Sequence, residues 1–310
     1  MSSDASSRTE DWNTPPVAKA KADEPPLCVD LDGTLSITDT LLECLLIVIK
    51  RQPYLLFVLP LWILGGRAQF KQKIYKLARL NPATLGYREP FLTYLKSEAA
   101  RGRRIILATA APEIFARAIA DYLDCFTDVV GTREGHNLKG KNKAKALVDL
   151  YGERGFDYAG NDWPDNDVWA HARRAIIVAA PASLRAKVEK EREVDRTFDG
   201  VSGGVRACLR AMRVHQWSKN VLVFVPLVAA HRVFEPMLLL YTIVTFFSFG
   251  LIASGGYIVN DLLDLASDRK HPRKRKRPFA SGSLSIQTGV ILAISLILAG
   301  LVLTATISLT

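Results

Sequence analysis

Two uninterrupted apolar runs near the end of the chain limit its fold more than any other feature. "PMLLLYTIVTFFSFGLIASGGYIV" (residues 236–259) and "IQTGVILAISLILAGLVLTATISL" (residues 286–309) contain no Asp, Glu, Lys or Arg. A helix needs roughly 20 such residues to cross the hydrocarbon of a bilayer, and a helix or closed barrel satisfies its backbone there. Ser254, Gly255 and Gly256 inside the first run suit close contact between membrane helices. Residues 220–230 form a weaker third span, with His231 and Arg232 at its far end.

Between the two clear runs lies "NDLLDLASDRKHPRKRKRPFASG" (residues 260–282), acids followed by a dense basic block. Excess Lys and Arg in a short loop predicts that residues 269–277 face the cytoplasm. An even number of crossings before that loop places the N-terminal part there as well, in a multi-pass protein of the cytoplasmic (inner) membrane. Cys28, Cys44, Cys125 and Cys208 have no paired spacing, which fits a reducing compartment and argues against a zinc site or disulfides. The net charge of +10 suits nucleic acid, anionic lipid or phosphorylated substrates. A basic block clamped between spans is badly placed for nucleic acid, so membrane lipids are the expected partner.

The first part of the chain mixes charged and apolar residues. Residues 1–24 lack an apolar signal region and read as a disordered lead-in. "LCVDLDGTLS" (27–36), "RRIILATAA" (103–111), "GFDYAGND" (155–162) and "RRAIIVAAP" (173–181) each read as a buried strand ending in polar residues. Helical patterns at 112–123 and 141–151 lie between them, which predicts crossovers and a parallel sheet. Residues 41–66 are apolar but broken by Lys50, Arg51, Pro53 and Pro60. Their runs are too short to span. Two broken helices at a membrane surface, or a helical cap with its own small core, both fit. The charged stretch 186–204 reads as a linker.

In "DLDGTL", Asp30 and Asp32 fall on one side of a strand end, with Gly33 and Thr34 making the turn. Such a pair can hold Mg²⁺ and leave an oxygen to attack phosphorus; a solvated turn is the plainer alternative. With "IILAT", "LKGKNKAKAL" and "GNDWPDND" following in order, residues 25–185 resemble the haloacid dehalogenase-like (HAD) hydrolases. The resemblance implies an α/β Rossmann-like domain with a helical C1 cap at about residues 38–98. It makes Asp30 the nucleophile, Asp32 the general acid/base, and Thr34 and Thr109 phosphate-binding hydroxyls. It makes Lys143 the lysine that offsets phosphate charge, with Lys139, Lys141 and Lys145 close by. Asn161 stands where the family usually has a first metal-binding Asp, Asp165 matches the second acid, and Asp162 is a substitute ligand.

Asp261, Asp264 and Asp268 are spaced i, i+3, i+7, which predicts one helix face bordered by Asn260. Such a column needs a cation against it, and Mg²⁺ bridging to diphosphate provides one. "NDLLDLASD", "HPRKRKRPFASG" and "RVHQWSKN" together resemble the UbiA family of intramembrane prenyltransferases across residues 205–310. Their wording is similar to the branch that includes decaprenyl-phosphate phosphoribosyltransferases. The resemblance implies all-α transmembrane helices and a polyprenyl phosphate or diphosphate substrate. Asn260, Asp261, Asp264 and Asp268 would hold Mg²⁺ and diphosphate, with Lys219, Lys274, Arg275 and Arg277 on phosphate. Family members carry further spans and a second Asp-rich motif. The expectation is therefore a UbiA portion completed by further chain or by a second polypeptide. The alternative is a working hydrolase on a membrane anchor or assembly module.

Overall fold

The computed structural model describes residues 24–133, 138–201 and 203–308. The expected lead-in thus lies outside the described residues, apart from Glu24.

β1 (Leu27–Val29) is followed by the insert, which holds α1 (Thr40–Arg51), a 3-10 turn at Pro53–Phe57, α2 (Leu59–Leu64) and α3 (Arg67–Ala78). Then come α4 (Glu89–Ala100), β2 (Ile105–Pro112), α5 (Glu113–Leu123), β3 (Asp128–Thr132) and α6 (Lys141–Tyr151). β4 (Asp157–Gly160), α7 (Asn166–Trp169), β5 (Ala175–Val178), α8 (Ala182–Glu191) and β6 (Val194–Phe198) complete the domain. The strands form one parallel sheet in the order β3-β2-β1-β4-β5-β6. Strand side chains alternate between faces. Leu27 and Val29 join Phe91 and Leu95 on one side, while Cys28 joins Leu147 and Trp169 on the other. Burial on both faces is why these strands read as continuous apolar runs. The chain leaves β1 toward β2 and later returns to its other side as β4. Strand order therefore reverses at β1/β4, where open α/β sheets bind ligands beyond the carboxyl ends.

Residues 186–204 are not a free linker. They contain most of α8 and all of β6, whose Phe198 packs on Phe91 with ring centroids 5.1 Å apart. Only the residues between β6 and the next helix connect the domains.

The second domain begins with α9 (Gly204–Met212), a long 3-10 segment at Val214–Phe224 and α10 (Val225–Ala229). α11 (Pro236–Leu263), α12 (Leu265–Lys270) and α13 (Ile286–Ser308) follow. α11 and α13 are long and apolar enough to cross a membrane. They pack tightly where Gly255 faces α13; a Cβ there would sit 2.5 Å from Ile297. The weaker third span is not a long helix. Its 3-10 turns and α10 run back along α11, with Trp217 Nε1 donating to Ser254 Oγ (2.9 Å) and Phe224 against Phe246. At ~2.0 Å per 3-10 residue and ~1.5 Å per α residue, this stretch still reaches about 30 Å.

The insert joins the two domains. Leu42 and Leu46 of α1 pack on a cluster containing Ile258, Leu262 and Phe279. Half-buried Arg269 donates to buried Glu43 (2.8 and 2.9 Å) and to the Thr84 carbonyl (3.2 Å). Near the other end of α1, Lys50 meets Asp264 at 2.6 Å.

Candidate functional site

The first cluster lies at the β1/β4 switch point. Asp30 follows β1, and the pairing of Val29 with Leu107 brings Thr109 of β2 to the same edge. Lys143, in the first turn of α6, is buried and donates to Asp30 Oδ1 (2.6 Å) and to the Tyr158 hydroxyl (2.9 Å). The neighbouring Lys139, Lys141 and Lys145 are exposed. Thr34 donates toward Asp30 Oδ2 (3.2 Å) and Asn161 Oδ1 (3.0 Å). Gly33 has φ of +80°, and a Cβ there would lie 2.3 Å from the Asn161 amide, so the turn requires glycine. The Thr109 hydroxyl accepts from Ala111 N (3.0 Å), which leaves its proton for a ligand. Asp32 Oδ1 accepts from the Thr40 amide and hydroxyl, both at 2.7 Å, and Thr40 in turn meets the Tyr75 hydroxyl (2.7 Å).

Burial dominates the electrostatics. It pushes the Asp30 carboxyl up to about 7 despite the pull of Lys143, and the Asp32 carboxyl up to about 6, with Asp39 adding to the rise. Burial also opposes the charge on Lys143, but Asp30 and Asp165 more than offset it and hold the ammonium above the usual lysine range.

Asp165 is buried beside the cluster, 3.7 Å from Lys143 Nζ. One oxygen accepts from the Tyr158 hydroxyl (2.7 Å), the other from the amides of Asn161 (2.9 Å) and Asp162 (3.1 Å). Through those donors it anchors the loop that carries Asn161. Asp162 is exposed and caps the following turn through Trp163 N (2.8 Å).

The second cluster lies where α11 ends. The single aspartate face expected there is divided, because the helix breaks at Asp264 (φ −94°, ψ 6°). Asp261 and Asp268 are buried and share Arg277, at 3.1 and 2.7 Å; Asp261 also meets Arg213 at 2.6 Å. Asp264 pairs with Lys50, which holds its carboxyl below the usual range, and Asn260 Nδ2 lies 3.4 Å away. Side-chain cations of this chain lie against the column. Arg277 is tied to carboxylates, Lys274 Nζ stands 3.9 Å from Asp268, and Lys219 is exposed on the 3-10 segment. Arg275 lines a cleft of about 710 Å³ between the domains, together with Arg88, Tyr122 and Phe198. Among the described residues, no three acidic, His or Cys side chains converge as a metal site.

The sheet carries its polar cluster at a switch point, and residues 27–163 match the family model of haloacid dehalogenase-like hydrolases. Residues 221–310 match the UbiA prenyltransferase family. The chain joins an HAD domain to a UbiA domain. It is 36% identical over 278 residues to the uncharacterized protein y4nM of Sinorhizobium fredii, covering 89% of this chain and 54% of that one. Decaprenyl-phosphate phosphoribosyltransferase of Corynebacterium glutamicum is 39% identical over 125 residues, 39% of this chain and 36% of that one. The chain thus spans about half, or less, of the length of these relatives. An HAD family hydrolase structure from Salmonella enterica serovar Typhi aligns with a TM-score of 0.42 and 15% identity, over 56% of this chain and 68% of that chain.

Oxygen donors at the HAD switch point suit a hard divalent cation. Asp30 Oδ2 and Asn161 Oδ1 both reach the same Thr34 hydroxyl, so two oxygens already face one point. In the UbiA domain Asp268 Oδ1 is buried without a hydrogen-bond donor and stands 3.9 Å from Lys274 Nζ, so it keeps a lone pair open to a cation. Several partners had escaped the sequence reading: Tyr158, which links Lys143 to Asp165; Thr40 and Tyr75, which hold Asp32; and Arg213, Arg269 and Lys50. The first three sit outside any motif. Arg213 opens the quoted "RVHQWSKN", and Arg269 directly follows the acidic motif, so both had a signal in their position.

Proposed function

We propose that this chain couples an Mg²⁺-dependent HAD phosphatase to a UbiA-type membrane domain that binds a polyprenyl phosphate or diphosphate. The observation that carries the hydrolase reading is the buried Lys143–Asp30–Thr34 cluster, in which a carboxylate is aimed by an ammonium at 2.6 Å. Asp30 attacks phosphorus, the ester P–O bond breaks, and Asp32 gives its proton to the departing alcohol. Water, losing its proton to Asp32, then attacks the aspartyl-phosphate and frees phosphate and Asp30. The raised position of Asp32 suits a group that must carry a proton near neutrality. Lys143 and the Thr109 hydroxyl hold phosphoryl oxygens. Asp30 and Asn161 would hold Mg²⁺, which supplies charge neutralisation on the phosphoryl group when bound.

In the UbiA domain, Asn260, Asp261, Asp264 and Asp268 are proposed to hold Mg²⁺ and diphosphate, with Lys219, Lys274 and Arg275 on phosphate oxygens. Transfer of a prenyl or phosphoribosyl group to or from a polyprenyl phosphate is the corresponding activity for a completed domain. The basic loop and the HAD domain are placed on the cytoplasmic side. A phosphate on a lipid-linked product is the ester that a hydrolase in this position would reach. Phosphate release from phosphoribosyl polyprenol by the protein and by Asp30→Asn tests this: loss in the variant supports it, and equal release ends it.

A second reading treats the membrane part as an anchor or assembly module. It is favoured by the pairing of all three aspartates with Lys50, Arg213 and Arg277. Substituting Asp261 and Asp264 separates the two, since an anchor keeps its localisation and function without them.

A further inference from the structure

The 3-10 turn at Pro53–Phe57 and α2 expose six large apolar side chains: Tyr54, Leu56, Phe57, Leu61, Ile63 and Leu64. Phe57 is 83% exposed and Leu64 84%, values at odds with a cap that closes its own core. Only Leu55 and Leu59 of this segment are buried, and both belong to the core of the HAD domain. Val58 and Trp62 pack partly on the same core, and a ridge that still turns six large apolar side chains outward needs an apolar partner.

Position identifies that partner. α1 runs antiparallel to the end of α11 and to α12: Glu43 meets Arg269, and one helical stretch later Lys50 meets Asp264. Along α1 the chain therefore travels from the loop toward the end of the apolar run on α11. Lys50 thus ties the end of α1 to the end of α11, and Pro53–Phe57 follows three residues after that tie. Charge agrees. No Asp or Glu occurs between Glu43 and Glu89, whereas Lys50, Arg51, Lys73 and Lys76 flank the ridge. Lys73 lies over the Trp62 ring at 5.4 Å. Pro53 and Pro60 keep the helical pieces far below the ~20 residues of a span. Short amphipathic pieces with a basic rim lie in the headgroup layer.

We propose that residues 53–64 are a membrane-surface anchor of the HAD domain, seated among anionic lipid headgroups beside α11. This rests on the reading that α11 and α13 span the bilayer. The anchor makes the insert a bridge with three attachments: the HAD core, the end of α11 and the lipid surface. It holds the phosphatase opening close to the layer in which lipid-linked phosphates lie.

Labels test the seating in the full chain, in a Cys208→Ser background whose other cysteines are buried. An environment-sensitive fluorophore is placed singly on Phe57→Cys, Leu61→Cys, Leu298→Cys of α13, and Leu150→Cys. The last lies near the end of α6, which runs from the site to the opposite edge of the sheet. The protein is reconstituted into phosphatidylcholine vesicles containing phosphatidylglycerol and spin-labelled lipids. Labels at 57 and 61 are expected to be quenched best by spins about 5–10 Å below the headgroup surface. The label at 298 is quenched by deeper spins, and that at 150 by neither. Quenching at 298 with none at 57 and 61 overturns the anchor and leaves the spans intact. No quenching at 298 removes the span reading and the anchor together. Labels at 57 and 61 that respond to protein density instead of spin-labelled lipid point to a second copy on the ridge, which also overturns it.

Discussion

Asp30, the proposed nucleophile, carries a measurable electrostatic cost. Its folded value of about 7 stands above the ordinary aspartate value of 3.8. Between those values the unfolded chain gives up a proton that the folded state keeps. The stability of the metal-free protein therefore falls as pH rises from about 4 toward 7, and levels off beyond. Asp30→Asn is expected to remove the part of this fall above about 6, where Asp32 has already titrated. Thermal unfolding after chelation, for protein and variant across this range, measures both slopes; a stability that rises with pH would contradict the assignment. The carboxylates were legible in the sequence because "DLDGTL" keeps the chemical pair contiguous. Lys143 was singled out by its motif position, but its burial among exposed Lys139, Lys141 and Lys145 was not legible, since it depends on how α6 packs. The loop donors on Asp165 were not legible, because a motif records which residue stands at a position, not which amides reach its oxygens.

At the scale of elements, α1 matters most. Its first residue, Thr40, holds Asp32, and its last turn holds Asp264, so one helix of 12 residues touches both candidate sites. Its central tie is Arg269–Glu43, with both side chains at 9% exposure or less. Arg269→Ala leaves Glu43 as an uncompensated buried charge, and breaking such a pair costs about 3–5 kcal/mol. The expected result is a lower first unfolding transition and faster proteolytic cleavage at residues 199–203. Adding Glu43→Gln restores part of the loss. Unchanged unfolding and cleavage in Arg269→Ala would remove α1 as the bridge. The interior strands could be read from their apolar runs, but β3 and β6 could not. These are the sheet's edge strands, and β6 exposes Asp195 and Arg196, so its sequence looks like linker. The break at Asp264 was equally hidden, because i, i+3, i+7 spacing describes a face only while the helix continues.

For the whole molecule, the order of parts was plain from composition: a mixed α/β region, then apolar runs around a basic loop. What the sequence did not reveal was that the HAD insert docks on the end of α11. That contact is made by residues more than 200 positions apart, and nothing local announces it. It turns two adjoining domains into one body in which the hydrolase cluster and the aspartates share a helix. Asp30 is the proposed nucleophile of that body. The direct measurement is mass spectrometry of full-length protein, acid-quenched during turnover of a phosphate ester with Mg²⁺. The expected result is a phosphate adduct on the peptide containing Asp30, absent from Asp30→Asn together with turnover. Undiminished turnover in the variant, with no adduct on that peptide in either protein, would contradict it.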